Sequence, residues 1–173
     1  VLMPREMLIG GGSRFRLPSL LKSLGVKRPL LVCEPVMQKL GHADALLQAL
    51  GGAGIDAAIF ADVVEDPTDI SIATLVKRVS GGGHDGLVAL GGGSAMDTAK
   101  AGAIVATSGE ELRALKVPRI VDFAVMPVIA IPTTAGTGSE VTRAAVVTDT
   151  AASEKMLILG TAALPVAAII DYE

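Results

Sequence analysis

The chain of 173 residues has no Trp, one Tyr, three Phe, one Cys and two His. Each shortage excludes something. With few aromatic platforms for bases and a formal net charge of −3, nothing marks the sequence as a binder of nucleic acid. The lone Cys33 cannot build a disulfide framework, and its place in the apolar run Leu30-Leu31-Val32-Cys33 reads as a small buried hydrophobe. That usage suits a reducing compartment, and a cytoplasmic protein is expected. Arg5 and Glu6 interrupt the N-terminus, and no run reaches the ~18 apolar residues of a membrane span, so no membrane partner is expected either. His42 and His84 fall in connections with no ligand spacing around them, and read as surface or capping residues.

Glycine and aliphatic side chains are abundant: the chain has 20 Gly and is 50% hydrophobic. This suits one compact domain of α/β class over 1–173: a Rossmann-like, open, mostly parallel sheet with helices on both faces. Apolar runs bounded by Gly and Pro predict strands at residues 30–33, 57–60, 87–90, 128–131 and 167–170. Helices are expected at 17–24, 43–50 (ending at Gly51-Gly52), 69–79 and 94–107, with a helical turn within 110–115. Residues 6–16 read as a short N-terminal hairpin turning at Gly10-Gly11-Gly12-Ser13, and 146–148 with 156–159 as a second hairpin. Three βα units in succession imply parallel strands and right-handed crossovers.

The most informative stretch is Leu87-Val88-Ala89-Leu90-Gly91-Gly92-Gly93-Ser94-Ala95-Met96-Asp97-Thr98-Ala99-Lys100. A buried strand runs through a glycine turn into a helix. Gly91, Gly92 and Gly93 lack Cβ atoms, so backbone N–H groups can approach an oxyanion, and the helix aims its positive end at the same place. Ser94 as N-cap and Asp97 three residues on form a capping-box pattern. The dinucleotide fingerprint G-x-G-x-x-G is not met here, because Met96 stands where the third glycine belongs. Gly81, Gly83 and Gly86 meet that spacing but precede the strand, where it has no phosphate to hold.

Two further elements share that edge of the sheet. Pro132-Thr133-Thr134-Ala135-Gly136-Thr137-Gly138-Ser139-Glu140 comes directly after the strand 128–131, where ligands of open α/β sheets bind, and its hydroxyls can donate to phosphate and ribose oxygens without adding charge. Glu34 ends the first apolar strand. A carboxylate there either accepts from a ribose diol and repels the extra phosphate of NADP, or is simply a solvated strand end.

Taken together, the segments 91–100 and 132–142 resemble the two hallmark segments of the iron-containing (group III) alcohol dehydrogenase family. The opening glycine turn, residues 64–68, Thr148-Asp149 and the ending Val166-Ala167-Ala168-Ile169-Ile170-Asp171 fit as well, so the resemblance spans nearly the whole chain. It implies an NAD(P)-binding domain with the diphosphate on Gly92 to Ser94. It also implies that Thr133, Thr134 and Thr137 line the cofactor, that Asp97 supports the nicotinamide end, and that Lys155 reaches a ribose. Asp66 falls near the adenine side, and Glu34 stands where members preferring NAD carry an acid, usually Asp. NAD is therefore the expected cofactor, with NADP as the alternative.

Members of that family are longer, with a C-terminal helical domain whose Asp and three His hold iron or zinc. No such ligand set is present in these residues, so the metal is expected only in the complete enzyme. The chain is expected to be the cofactor half of a dehydrogenase acting on a small alcohol, aldehyde or ketone, inactive alone and able to form a homodimer. The alternatives are a glycerol-type dehydrogenase, a maleylacetate reductase, or a non-catalytic dinucleotide module. In a fragment, the apolar stretch Ala162-Ala163-Leu164-Pro165-Val166 is expected to be exposed as a docking face.

Overall fold

The computed structural model describes residues 2–173. Six strands form one sheet: β1 (Glu6–Ile9), β2 (Pro29–Cys33), β3 (Ala58–Phe60), β4 (Gly86–Gly91), β5 (Val128–Pro132) and β8 (Ala167–Ile170). Their order is β1-β8-β5-β4-β2-β3, and every neighbouring pair is parallel. A separate antiparallel ribbon is made by β6 (Ala144–Asp149) and β7 (Glu154–Leu159), with Val147 opposite Met156.

The sheet is covered on both faces, which is why its central strands are apolar without alternation. Leu31, Cys33, Val88, Leu90, Ile129 and Ile131 point to one side, against α1 (Leu17–Ser23) and α3 (His42–Gly52). Their neighbours Leu30, Val32, Leu87, Ala89, Val128 and Ala130 point to the other, against α4 (Asp69–Gly82) and α5 (Gly93–Ser108). The β6–β7 ribbon packs over the outer face of α5, closing a third cluster with Ala101, Ile104 and the short α6 (Leu112–Leu115). Small residues let α5 sit between two layers. At Gly102 an added Cβ would lie 2.5 Å from Leu75 Cδ2.

Several expectations are corrected. The N-terminal segment is not a hairpin: β1 pairs in parallel with β8, at the other end of the chain. Left-handed Gly12 turns it into a 3-10 helix at Ser13–Arg16 that leads directly into α1, so no returning strand exists. The true capping box lies at α4, where Thr68 and Ser71 bond reciprocally, at 2.9 and 3.1 Å. At α5 the N-cap is Gly92, which moves Ser94 into the first turn and frees Asp97 for other partners. Helices α3 and α4 run through Gly51-Gly52 and Gly81-Gly82, with Ala53 and Gly83 as their C-caps. A short helix, α2 (Pro35–Lys39), comes directly after Glu34; it buries no residue and so left no apolar pattern to read. The stretch 162–166 is no docking face, since Ala162, Ala163 and Pro165 are buried.

The chain order around the sheet fixes where a ligand would sit. From β2 the chain adds β3 outward on one side, then crosses back to place β4 on the other side of β2. The loops after β2 and β4 therefore diverge, and the crevice between them is the topological switch point. Glu34 and Gly91-Gly92-Gly93 stand at that crevice.

Candidate functional site

The turn after β4 is built so that only glycine fits its first position. Gly91 has φ 148°, and a Cβ there would collide with the Glu34 carboxylate. Gly92, the N-cap of α5, is extended, and no side chain caps the helix. The first-turn amides are therefore left to whatever approaches from the crevice. Glu34 leans into this space: Gly92 N–H donates to Glu34 Oε1 at 3.2 Å, while Oε2 is buried with no hydrogen-bond partner.

The threonine loop closes the other side. Thr133 N–H donates to Gly91 O at 2.9 Å, tying the two loops together. A Cβ on Gly92 would stand 3.3 Å from Thr134 Oγ1, and one on Gly93 3.2 Å from Thr137 Cγ2. Thr133, Thr134 and Thr137 are all exposed, and Thr137 Oγ1 accepts from Ser139 N–H at 3.4 Å. The structure thus gathers Glu34, Gly91, Gly92, Gly93, Ser94, Thr134 and Thr137 around one glycine-lined cradle with an unpartnered buried oxygen. A diphosphate with an adjoining ribose diol fits that chemistry.

Asp97 lies one turn deeper and serves the scaffold of the loop. Its Oδ1 accepts from Ser139 Oγ at 3.1 Å and its Oδ2 from Val146 N–H at 3.0 Å. Burial pushes its pKa up, against the lowering influence of the Val146 N–H, Lys100 and Ser139. Lys100, a residue to which the sequence assigned no role, is fully buried below it. Its Nζ donates to Ala144 O at 2.9 Å, Thr142 O at 3.1 Å and Thr142 Oγ1 at 3.3 Å, and lies 4.0 Å from Asp97 Oδ1. Burial lowers its pKa to about 8, outweighing the attraction of Asp97 and Glu140. The only sequence signal for Lys100 was its helical spacing of three from Asp97.

Asp66 and Lys155 are joined to each other and not to the turn. Asp66 is left-handed (φ 53°) in the loop after β3, and its Oδ1 lies 2.7 Å from Lys155 Nζ on β7; both are exposed. The loop and ribbon are held together beside them, where Thr148 N–H donates to Pro67 O at 2.7 Å.

The first Gly-Gly-Gly-Ser is also an anion nest, filled from within. Asp171 accepts from Gly12 N–H at 3.0 Å and Glu173 N–H at 3.1 Å on one oxygen, and from Arg14 N–H at 2.9 Å and Arg14 Nη1 at 2.8 Å on the other. Buried Cys33, beside Glu34, has its thiol raised to about 11 by burial, then by Glu34 and Asp44, which keeps it unreactive. His42 is exposed at the start of α3, and His84 Nδ1 lies 3.1 Å from Arg28 O. Among the described residues, no three His, Cys, Asp or Glu side chains gather as a metal site, and no helix is long and apolar enough to cross a membrane.

Comparison with known proteins points the same way. The family model described as iron-containing alcohol dehydrogenase matches residues 4–172. The NAD-dependent methanol dehydrogenase of Bacillus methanolicus is 37% identical over 171 residues, which are 99% of this chain and 45% of that protein. Among solved structures, a 1,3-propanediol oxidoreductase superposes with a TM-score of 0.93 at 33% identity, covering 98% of this chain and 44% of that one. A sulfoacetaldehyde reductase from Bifidobacterium kashiwanohense, solved in complex with NAD+, gives 0.90 at 28% identity, covering 98% and 45%. The chain thus spans a little under half the length of these relatives.

Proposed function

The chain belongs to the iron-containing alcohol dehydrogenase family, and from that premise we propose that residues 1–173 are its NAD(P)-binding domain. One observation carries the reading. An uncapped helix start behind a glycine turn opens at the switch point between β2 and β4, beside a carboxylate with one buried, unpartnered oxygen. The amides of Gly92, Gly93 and Ser94 hold the diphosphate, Thr133, Thr134 and Thr137 donate to its oxygens and to the ribose, and Glu34 accepts from the ribose diol. Asp66 and Lys155 flank the adenine and ribose side. Asp97 and Lys100 hold the threonine loop in place from below.

The nicotinamide supplies a hydride acceptor for the alcohol carbon when it is bound. This chain's residues bind and orient it. No metal ligand set gathers among the described residues. The whole protein is proposed to interconvert a small alcohol and its aldehyde or ketone, as the names of its relatives suggest for them. Exposed Met7 and Ile9 on the edge strand β1 support pairing with a second copy, and the buried free thiol of Cys33 suits a cytoplasmic setting.

Calorimetric titration of this chain with NADH, and separately with NADPH, tests the proposal. NADH binding with weaker or no NADPH binding is expected, because Glu34 meets a 2′-phosphate as like charge. Failure to bind either would overturn the reading of the turn.

A further inference from the structure

The two Gly-Gly-Gly-Ser turns of this chain each hold a carboxylate, on very different terms. In the first, both Asp171 oxygens are fully engaged by Gly12, Arg14 and Glu173 donors. In the second, Glu34 has one 3.2 Å bond from the Gly92 amide and one buried oxygen with no partner. A buried anionic oxygen without a donor costs free energy that a better arrangement would recover. The amide that Glu34 occupies is also the N-cap amide of α5, where the helix dipole and the glycine turn favour a phosphate.

We propose that Glu34 is a displaceable occupant of its own phosphate turn. Without ligand its carboxylate takes the Gly92 N–H; an incoming diphosphate takes that amide and moves Glu34 aside, where its freed oxygens meet the ribose diol. This rests on the reading of the turn as a diphosphate site. Side-chain length matters to the device: Glu34 reaches the amide, and an Asp would be one methylene shorter. The same group therefore acts twice, first competing with phosphate and then selecting against a phosphorylated ribose. Its net effect on NADH is small because the two roles oppose each other, whereas its effect on a ligand lacking ribose is one-sided.

Inorganic pyrophosphate in metal-free buffer is that ligand. Calorimetry on the wild-type chain, Glu34→Gln and Glu34→Ala is expected to show pyrophosphate bound about tenfold more tightly by Glu34→Ala, with Glu34→Gln between, since one charge-assisted hydrogen bond and one like-charge contact are removed. Thermal melts confirm that each variant is folded; Glu34→Gln keeps the side chain's shape if Glu34→Ala is unstable. Unchanged or weaker pyrophosphate binding in the folded variants overturns the proposal. If wild type binds NADH while pyrophosphate is indifferent to Glu34, the displacement fails and the cofactor site stands. If no variant binds pyrophosphate or NADH, both fail.

Discussion

The tetrapeptide Gly-Gly-Gly-Ser occurs twice, at residues 10–13 and 91–94, and the two copies lead into different structures. After the first come Arg14, Phe15 and Arg16 in a 3-10 turn, with Asp171 seated in the nest and Arg14 also neutralising it. After the second comes the sixteen-residue helix α5, whose aligned peptide dipoles end at the turn without a side-chain cap. Glycine thus permits a nest, but it does not decide the guest. A long uncapped helix and a crevice between diverging loops leave the second turn open to the crevice, while Asp171 makes the first a structural joint between β1 and β8.

Gly91→Val should separate the two turns most. A branched side chain at φ 148° that also collides with Glu34 should lower NADH affinity roughly a hundredfold, about 3 kcal/mol, read by calorimetry. Asp171→Ala is the reciprocal test. Removing the acceptor of Gly12 and Arg14 should lower stability by about 2 kcal/mol in urea unfolding, with NADH affinity unchanged in the folded protein. The Asp171 carboxyl is held below its usual 3.8: burial would raise it, and the donors from Arg14, Glu173 and Gly12 outweigh burial. Its contribution is therefore present above 3.8 and lost as pH falls through the lowered value, and Asp171→Asn should flatten that part of the acid unfolding curve.

Lys100→Met comes next. It leaves the carbonyls of Thr142 and Ala144 unpaired and should cost about 1–2 kcal/mol, with weaker NADH binding as the threonine loop loosens. Here the pH sign reverses. The folded protein releases the Lys100 proton near 8 and the unfolded chain near 10.5, so this group raises stability as pH climbs between the two. The variant should lack that rise. The smallest effect is expected from Lys155→Ala, because its ion pair with Asp66 is exposed at both ends. Stability should change by less than about 1 kcal/mol.

The central strands are legible because parallel strands covered on both faces must be apolar throughout, and Gly or Pro marks their ends. β1 is not. An edge strand that buries only Leu8 of its four residues looks like half of a hairpin, and its true partner lies at the other end of the chain. The turn after β4 is readable from its glycines, and Glu34 from its place at a strand end. Asp97 looks like part of a cap because the sequence does not show that α5 begins at Gly93. Lys100 is invisible for a tertiary reason: a helical lysine is normally solvated, and here it is buried with its Nζ bonded to Thr142 and Ala144, far along the chain. Asp66 and Lys155 are expected at separate subsites, and only the fold brings them together.

The difference between the two turns can be read directly from backbone amide shifts in an NMR titration of the chain with NADH. Gly92, Gly93 and Ser94 are expected to move most while Gly11, Gly12 and Ser13 stay in place. Shifts centred on the first turn, or none at the second at saturating NADH, would contradict it.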